Sequence, residues 1–470
     1  MSINWTEEVE KRKQSFLEDT KKLLHIRSVL DEENGTKEAP FGEGVRAALD
    51  FMLELGEKDS FTTKNVENVA GHIEFGEGED MLGILCHVDV VPEGDGWSVD
   101  PYAGEIRDGK LIARGVLDDK GPTMAAYYAM RIVKESGLPL SKRVRMIIGT
   151  DEESEWRCVD TYFKHEEMPT LGFAPDADFP IIYAEKGLTD FDIRFKEGSV
   201  QGGQAELKLV TFQSGLRYNM VPDAAEATID LDSDPTYLCQ SFDEFLKENE
   251  LEGSYLMDSG QLVFRLKGIS SHGMEPRNGR NAGLYLAQFL TTLSLDAEGK
   301  RFVSFLSEHL HLKSRGESFG IAFEDDITGP LTINIGKMKF ESGKESVVGV
   351  NLRYPVTFNF KEGMKPFHEI MNHIGGEIVV KTHMKPHHVN QEDMLVKTLA
   401  KVYEEHTGEK AELLSIGGGT YARSLQSGVA FGPLFPGRED IAHKKDEYMF
   451  VDDLLKATAI YAQAIYELAK

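Results

Sequence analysis

A chain of 470 residues, 41% hydrophobic and 28% charged, is long enough for two globular domains with sizeable cores. Its 79 acidic and 52 basic side chains leave a formal net charge of −27, which serves solubility and argues against nucleic acid or an anionic membrane as partner. Three widely spaced cysteines, Cys86, Cys158 and Cys239, make no disulfide framework and point to a reducing cytoplasm. The start, Met1 to Glu8, has neither the basic region nor the apolar core of a secretory signal. No apolar run reaches the length of a membrane span.

In chain order, Trp5 to Ile26 reads as an amphipathic helix with Phe16, Leu17, Leu23 and Leu24 on its apolar side. Met81 to Cys86 is an apolar run of strand length, closed by His87 and Asp89. Cys86, ending that strand, reads as a core thiol. Pro122 to Lys134 reads as a helix, with Pro122 suited to its start. Arg143 to Gly149 is a second apolar strand, closed by Asp151, Glu152 and Glu153, and Trp156 to Glu166 reads as the helix after it. Such strand–site–helix alternation predicts an α/β sheet with crossover helices.

The texture changes near Glu185-Lys186-Gly187. Leu188 to Phe195 alternates like a strand with one wet face, and a polar stretch follows at Gly198 to Gln204. From about Ala205 to Lys381, alternating strands mix with helices such as Asn281 to Leu293. The last strand is predicted at Gly376 to Thr382. Lys385-Pro386-His387-His388 reads as a return linker, with His387 and His388 at the surface or hinge. Helices at Gln391 to His406 and Asp452 to Leu468 close the chain.

In parallel sheets, sites lie beyond the carboxyl ends of the strands. Two strand ends and the Asp118-Asp119 segment would therefore bring an imidazole and several carboxylates to one edge. That much negative charge gathers only around cations. Asp89, two residues from His87 on a strand, shares its face.

Five motifs follow one another: His87-Val88-Asp89-Val90-Val91-Pro92, Asp118-Asp119-Lys120-Gly121-Pro122, Thr150-Asp151-Glu152-Glu153, Phe173-Ala174-Pro175-Asp176 and Ala442-His443-Lys444-Lys445-Asp446-Glu447. With Tyr218-Asn219-Met220-Val221-Pro222 and Ile416-Gly417-Gly418-Gly419-Thr420-Tyr421, the chain resembles the M20 family of metallopeptidases over nearly its whole length. The likeness is closest to the long-lid bacterial dipeptidases of the PepV type.

The resemblance implies a mixed-sheet, zinc-peptidase-like catalytic domain formed by residues 1–186 and 385–470. An α+β lid, 187–384, is inserted in it. It implies two divalent cations, zinc first and manganese second. Asp118 would bridge them, with His87 and Asp176 completing one site and Glu153 and His443 the other; Asp176 is preferred to Asp178 on its spacing from Glu153. Asp89 would orient His87 by accepting its second ring N–H. A cis peptide is expected after Asp118. Glu152 would be the general base for a metal-bridging water, and His272 of the lid would stabilise the oxyanion. Asn219, Arg353, Gly418 and Thr420 match substrate-contacting positions, Arg353 being suited to a carboxylate. The implied enzyme is a monomeric, cytoplasmic dipeptidase of unblocked dipeptides. The alternative on the same scaffold is a deacylase of N-acyl amino acids such as succinyl-diaminopimelate.

Overall fold

The computed structural model describes residues 3–196, 207–231 and 234–470. The polar stretch Gly198 to Gln204 lies outside the described residues. The chain divides into two compact units, one of Met1–Ala184, His388–Ser415 and Gly419–Lys470, the other of Glu185–His387 and Ile416–Gly418. The sequence places the boundaries at 186/187 and 384/385 and assigns Ile416–Gly418 to the first unit. Those three residues cluster with the inserted unit instead, where the Lys186 N–H donates to Ile416 O (3.1 Å) and Arg353 Nη1 to Gly417 O (2.6 Å).

The first unit is built on a mixed sheet in the order Thr62–Val66, Ala70–Phe75, Arg143–Gly149, Met81–His87, Leu171–Ala174, Gly428–Ala430, Ile181–Glu185. Met81–His87 runs parallel to Arg143–Gly149 on one side and to Leu171–Ala174 on the other, with His87 opposite Gly149 and Ile84 opposite Phe173. Apart from Arg143, Arg145 and the terminal His87 these three strands are apolar, and they are almost wholly buried, as parallel strands covered on both faces must be. Because they run the same way, they end on one edge. The helices Lys120–Ser136 and Val451–Ala469 pack together and against the central strand. The first ends at Gly137, whose left-handed φ of 64° lets its N–H cap Lys134 O.

The first predicted helix is two, Trp5–Glu10 and Lys13–Leu24. Between Val9 and Phe16 no apolar side chain holds the chain to the core. Arg12 breaks the helix at φ −110°, ψ 3°, its guanidinium donating to Glu8 O and to the Glu8 and Glu135 carboxylates. The helix predicted from Gln391 begins at Met394, because Asp393 caps it by accepting from Leu395 N. Likewise Asn281 caps the helix Ala282–Leu290 rather than beginning it.

The second unit holds an antiparallel sheet in the order Glu252–Asp258, Gln261–Lys267, Ala224–Leu231, Leu207–Ser214, Thr332–Glu341, Ser346–Tyr354, Gly187–Phe195, Gly376–Met384. Helices Thr236–Glu248, Ala282–Leu290 and Ala297–Phe305 supply Phe242, Leu286, Phe289 and Phe302 to its own hydrophobic core. An all-antiparallel sheet with its own core marks an α+β domain beside the mixed α/β one. Among the described residues, no helix is long and apolar enough to cross a membrane. All three cysteines are free, and Cys86 and Cys158 are buried.

Candidate metal centre

The parallel strands deliver the first unit's polar side chains to one place. His87 is the last residue of its strand, Glu152 and Glu153 follow Gly149, and Asp176 lies two residues beyond Ala174. Asp118 arrives on the turn before the helix Lys120–Ser136, with a cis peptide between Asp118 and Asp119. Gly121 lets that helix close onto the turn: a Cβ there would lie 2.0 Å from Val116 O. His443 comes from the C-terminal segment with φ of 64°, a conformation uncommon outside glycine.

Asp118 faces two imidazoles. Its Oδ1 lies 2.9 Å from His87 Nε2 and its Oδ2 3.0 Å from His443 Nε2. His87 Nε2 is 3.8 Å from Asp176 Oδ2, and His443 Nε2 is 3.0 Å from Glu153. Two triads result, His87–Glu152–Asp176 and Asp118–Glu153–His443, the ligand atoms within each lying within 4.8 Å of one another. Glu152 thus stands among the donors of the first triad. Asp178 is exposed and belongs to neither.

Around this centre the backbone and side chains are fixed. His87 Nδ1 lies 3.0 Å from Asp89 O and 3.4 Å from Asp89 Oδ1. Asp89 Oδ2 accepts from Glu153 N (3.0 Å), so one carboxylate ties two of the segments together. Asp119 turns away and accepts from His87 N (3.1 Å) and Thr123 Oγ1 (3.0 Å). Asp151 is buried and accepts from Arg157 Nε (2.9 Å), which sets it apart from the cluster.

The electrostatics fit bound cations. Burial, with neighbouring carboxylates, raises the pKa of Glu152, Glu153 and Asp176. Hydrogen bonds to Asp118 and Glu153 push His443 up to about 10. Burial works against the His87 imidazolium, yet Asp118 and Asp89 hold its pKa well above the usual value. Without cations such a cluster holds protons; two divalent ions would displace them and satisfy the carboxylates. The nitrogen and oxygen donors suit zinc, and manganese tolerates them.

In the sequence Glu447 stands out only as the end of its motif, and Arg114 carries no signal at all. Glu447 is fully buried and accepts from Arg114 Nη1 (2.6 Å), Leu117 N (2.8 Å), Gly115 N (3.2 Å) and Asp118 N (3.3 Å). Arg114 Nη2 in turn donates to Glu93 O (3.3 Å) and His443 O (3.4 Å). The pair therefore braces the segments that carry Asp118 and His443. A buried arginine and glutamate far apart in sequence gave no signal of their partnership.

The second unit gathers a separate set. Gly273 N donates to Asn219 O (2.7 Å), and Met220 bridges His272. Asn334 Nδ2 holds the same turn through Tyr218 O (2.6 Å) and Met220 O (3.0 Å). His272 is exposed overall; partial desolvation of its ring and the nearby Arg353 lower its pKa, which favours a neutral imidazole. Gly417 packs closely on Met274, while a Cβ at Gly418 would meet only Ile416, at 3.8 Å. So Asn219, His272, Arg353 and Gly418 are neighbours within one unit. Thr420 belongs to the first unit, where its hydroxyl accepts from Ala422 N (3.2 Å).

The model of the family described as Peptidase family M20/M25/M40 matches residues 83–467. A protein of Bacillus subtilis (strain 168), YtjP, provisionally named a dipeptidase, is 56% identical over 470 residues, covering 100% of both chains. A protein of Staphylococcus epidermidis (strain ATCC 12228 / FDA PCI 1200) with the same provisional name is 47% identical over 464 residues, 99% of each. Among solved structures, human carnosine dipeptidase 1 aligns with a TM-score of 0.56 at 14% identity, over 99% of this chain and 98% of that one. Aminoacylhistidine dipeptidase from Vibrio alginolyticus aligns with a TM-score of 0.59 at 11% identity, over 96% of each. At these identities the structural likeness is one of fold.

Proposed function

The chain belongs to peptidase family M20/M25/M40, and from that premise we propose that it is a two-metal dipeptidase acting on unblocked dipeptides. The observation that carries the proposal is Asp118, each of whose oxygens faces a different imidazole at 2.9–3.0 Å. A carboxylate shared by the donor pairs His87–Asp176 and Glu153–His443 would let two cations be held side by side. His87 and Asp176 would complete one site, Glu153 and His443 the other. When bound, the ions would acidify an attacking water and polarise the scissile carbonyl.

The chain's own residues do the rest. Glu152 takes the proton of the attacking water and passes it to the leaving amine. The buried carboxyl, whose pKa burial and the neighbouring Glu153 and Asp118 raise, supports that role, because both favour its taking up a proton. Asp89 fixes the His87 ring. His272 donates to the developing oxyanion, a role that needs the lid to close on bound substrate.

Arg353 receives the substrate carboxylate, helped by Asn219, Gly418 and Thr420. It is 4% exposed, and burial lowers its pKa to about 10. Its hydrogen-bond partners are neutral, Asn351 Oδ1 (2.9 Å) and Gly417 O (2.6 Å). A buried guanidinium with neutral partners calls for an anion. The free thiols support a reducing, cytoplasmic compartment, and the likeness to long-lid members supports a monomer.

The test is a panel of unblocked dipeptides, their C-terminal amides and N-acyl amino acids, with protein reloaded with zinc or manganese. Unblocked dipeptides should be hydrolysed best. Preference for N-acyl amino acids would replace this proposal with the deacylase.

A further inference from the structure

In the second unit, three side chains stand in series on adjacent strands. Asp190 lies on Gly187–Phe195, and Asn351 and Arg353 lie on Ser346–Tyr354, with Asp190 directly opposite Asn351. Asn351 Nδ2 donates to Asp190 Oδ1 (2.7 Å), and Arg353 Nε donates to Asn351 Oδ1 (2.9 Å). Asn351 and Arg353 are both buried. A carboxylate only accepts and a guanidinium only donates, so Asp190 and Arg353 together fix the amide, its NH₂ anchored on the acid and its oxygen on the guanidinium.

We propose that Asn351 is a positioning residue for substrate-carboxylate specificity, holding Arg353 by a neutral amide that Asp190 anchors. This rests on the proposed role of Arg353. Arg353 must be held rigidly, yet a carboxylate in direct contact would already satisfy its charge. A substrate carboxylate would then have to compete with a built-in one. Inserting an amide separates the two tasks. The amide fixes the plane of the guanidinium through Nε, and Gly417 O fixes one end through Nη1. The formal negative charge stays one side chain further away, where Coulomb attraction is weaker. The positive end of Arg353 is left for the ligand, and its fork suits two carboxylate oxygens.

Reversing the order of acid and amide separates this account from a merely structural one. The exchange Asn351→Asp with Asp190→Asn keeps composition, shape and hydrogen-bonding capacity, and moves the charge into contact with Arg353. The readout is selectivity, the ratio of kcat/KM for an unblocked dipeptide to that for its C-terminal amide. The exchange should lower selectivity by about tenfold, through KM for the acid, with kcat/KM for the amide unchanged. Asp190→Asn alone, which replaces the charged acceptor of Asn351 Nδ2 by a weaker neutral one and so loosens the amide, should lower it by about threefold or more.

Arg353→Met is the control. If it leaves selectivity unchanged, the carboxylate role of Arg353 fails. If Arg353→Met lowers selectivity and the exchange does not, the proposal for Asn351 is overturned while that role stands. If the exchanged protein does not fold, Asp190→Asn decides: wild-type selectivity overturns the proposal. Combining Asp190→Asn with Arg353→Met should add no further loss, and additive losses would also contradict it.

Discussion

Replacing Glu447 by Gln should damage the metal centre without touching a ligand. Glu447 is 0% exposed and takes four hydrogen bonds, the shortest from Arg114 Nη1 at 2.6 Å. Glutamine keeps the shape, but its NH₂ must then face N–H donors, and Arg114, 1% exposed, loses its counter-charge. Removing one partner of a buried pair costs about 3–5 kcal/mol, against a typical total stability of about 5–15 kcal/mol. The same brace reaches Asp118 N and His443 O, so ion affinity should fall by about 10–100-fold, as for other residues that orient ligands. Burial pushes the Glu447 carboxyl up to about 7 against the pull of Leu117 N–H and Arg114, so the comparison belongs at about pH 8.5, where it is ionised. Urea unfolding of metal-free protein, followed by tryptophan fluorescence, measures the first effect; Trp97 lies 5.2 Å from the Arg114 guanidinium. Competition with a chromophoric chelator measures the second. A stability loss under about 1 kcal/mol with unchanged ion affinity would refute the brace.

Glu152→Gln should bind two ions normally and lose nearly all turnover, since only the proton shuttle is removed; metal analysis beside steady-state rates checks it, and a near-native rate would end the assignment. His272→Ala should lower kcat by ~10²–10³ with metal content unchanged; full kcat would mean that the first unit is complete without it. Ion binding should release protons and tighten as pH rises, because the raised His443 and His87 must be neutral to ligate. Calorimetry in buffers of different ionisation enthalpy reads that release, and pH-independent affinity would contradict it. For metal-free protein, His443 is raised from 6.5 to about 10. Its stabilising contribution is therefore full below pH 6.5 and lost as pH rises toward 10, which urea titrations at several pH values would show.

The α/β class and the run of strands ending in acids were legible because buried parallel strands are continuous apolar runs. Met81–His87 ends at its first polar side chain, and Arg143–Gly149, apolar after Arg145, is followed directly by Thr150 and Asp151. The break at Arg12 was not legible, since the apolar period resumes in phase beyond it. Nor was the assignment of Ile416–Gly418 to the second unit, which depends on hydrogen bonds to Lys186 and Arg353 across long sequence separations. Arg353 carried a signal through its motif, but Asp190 and Asn351 looked like any polar residues on a half-wet strand. Only the pairing register sets them opposite each other. Arg114 and Glu447 were hidden for the same reason, as neither periodicity nor composition reports which buried charges meet.

The central claim is that Asp118, shared between His87 with Asp176 and Glu153 with His443, holds two cations and that dipeptide hydrolysis depends on both. Metal-free protein titrated with zinc or manganese, with hydrolysis of an unblocked dipeptide followed at each addition, tests it most directly. Activity should reach its plateau at two equivalents per chain, and Asp118→Ala should gain neither tight binding nor activity over the same range. A plateau at one equivalent, hydrolysis by metal-free protein, or native ion affinity in Asp118→Ala would contradict it.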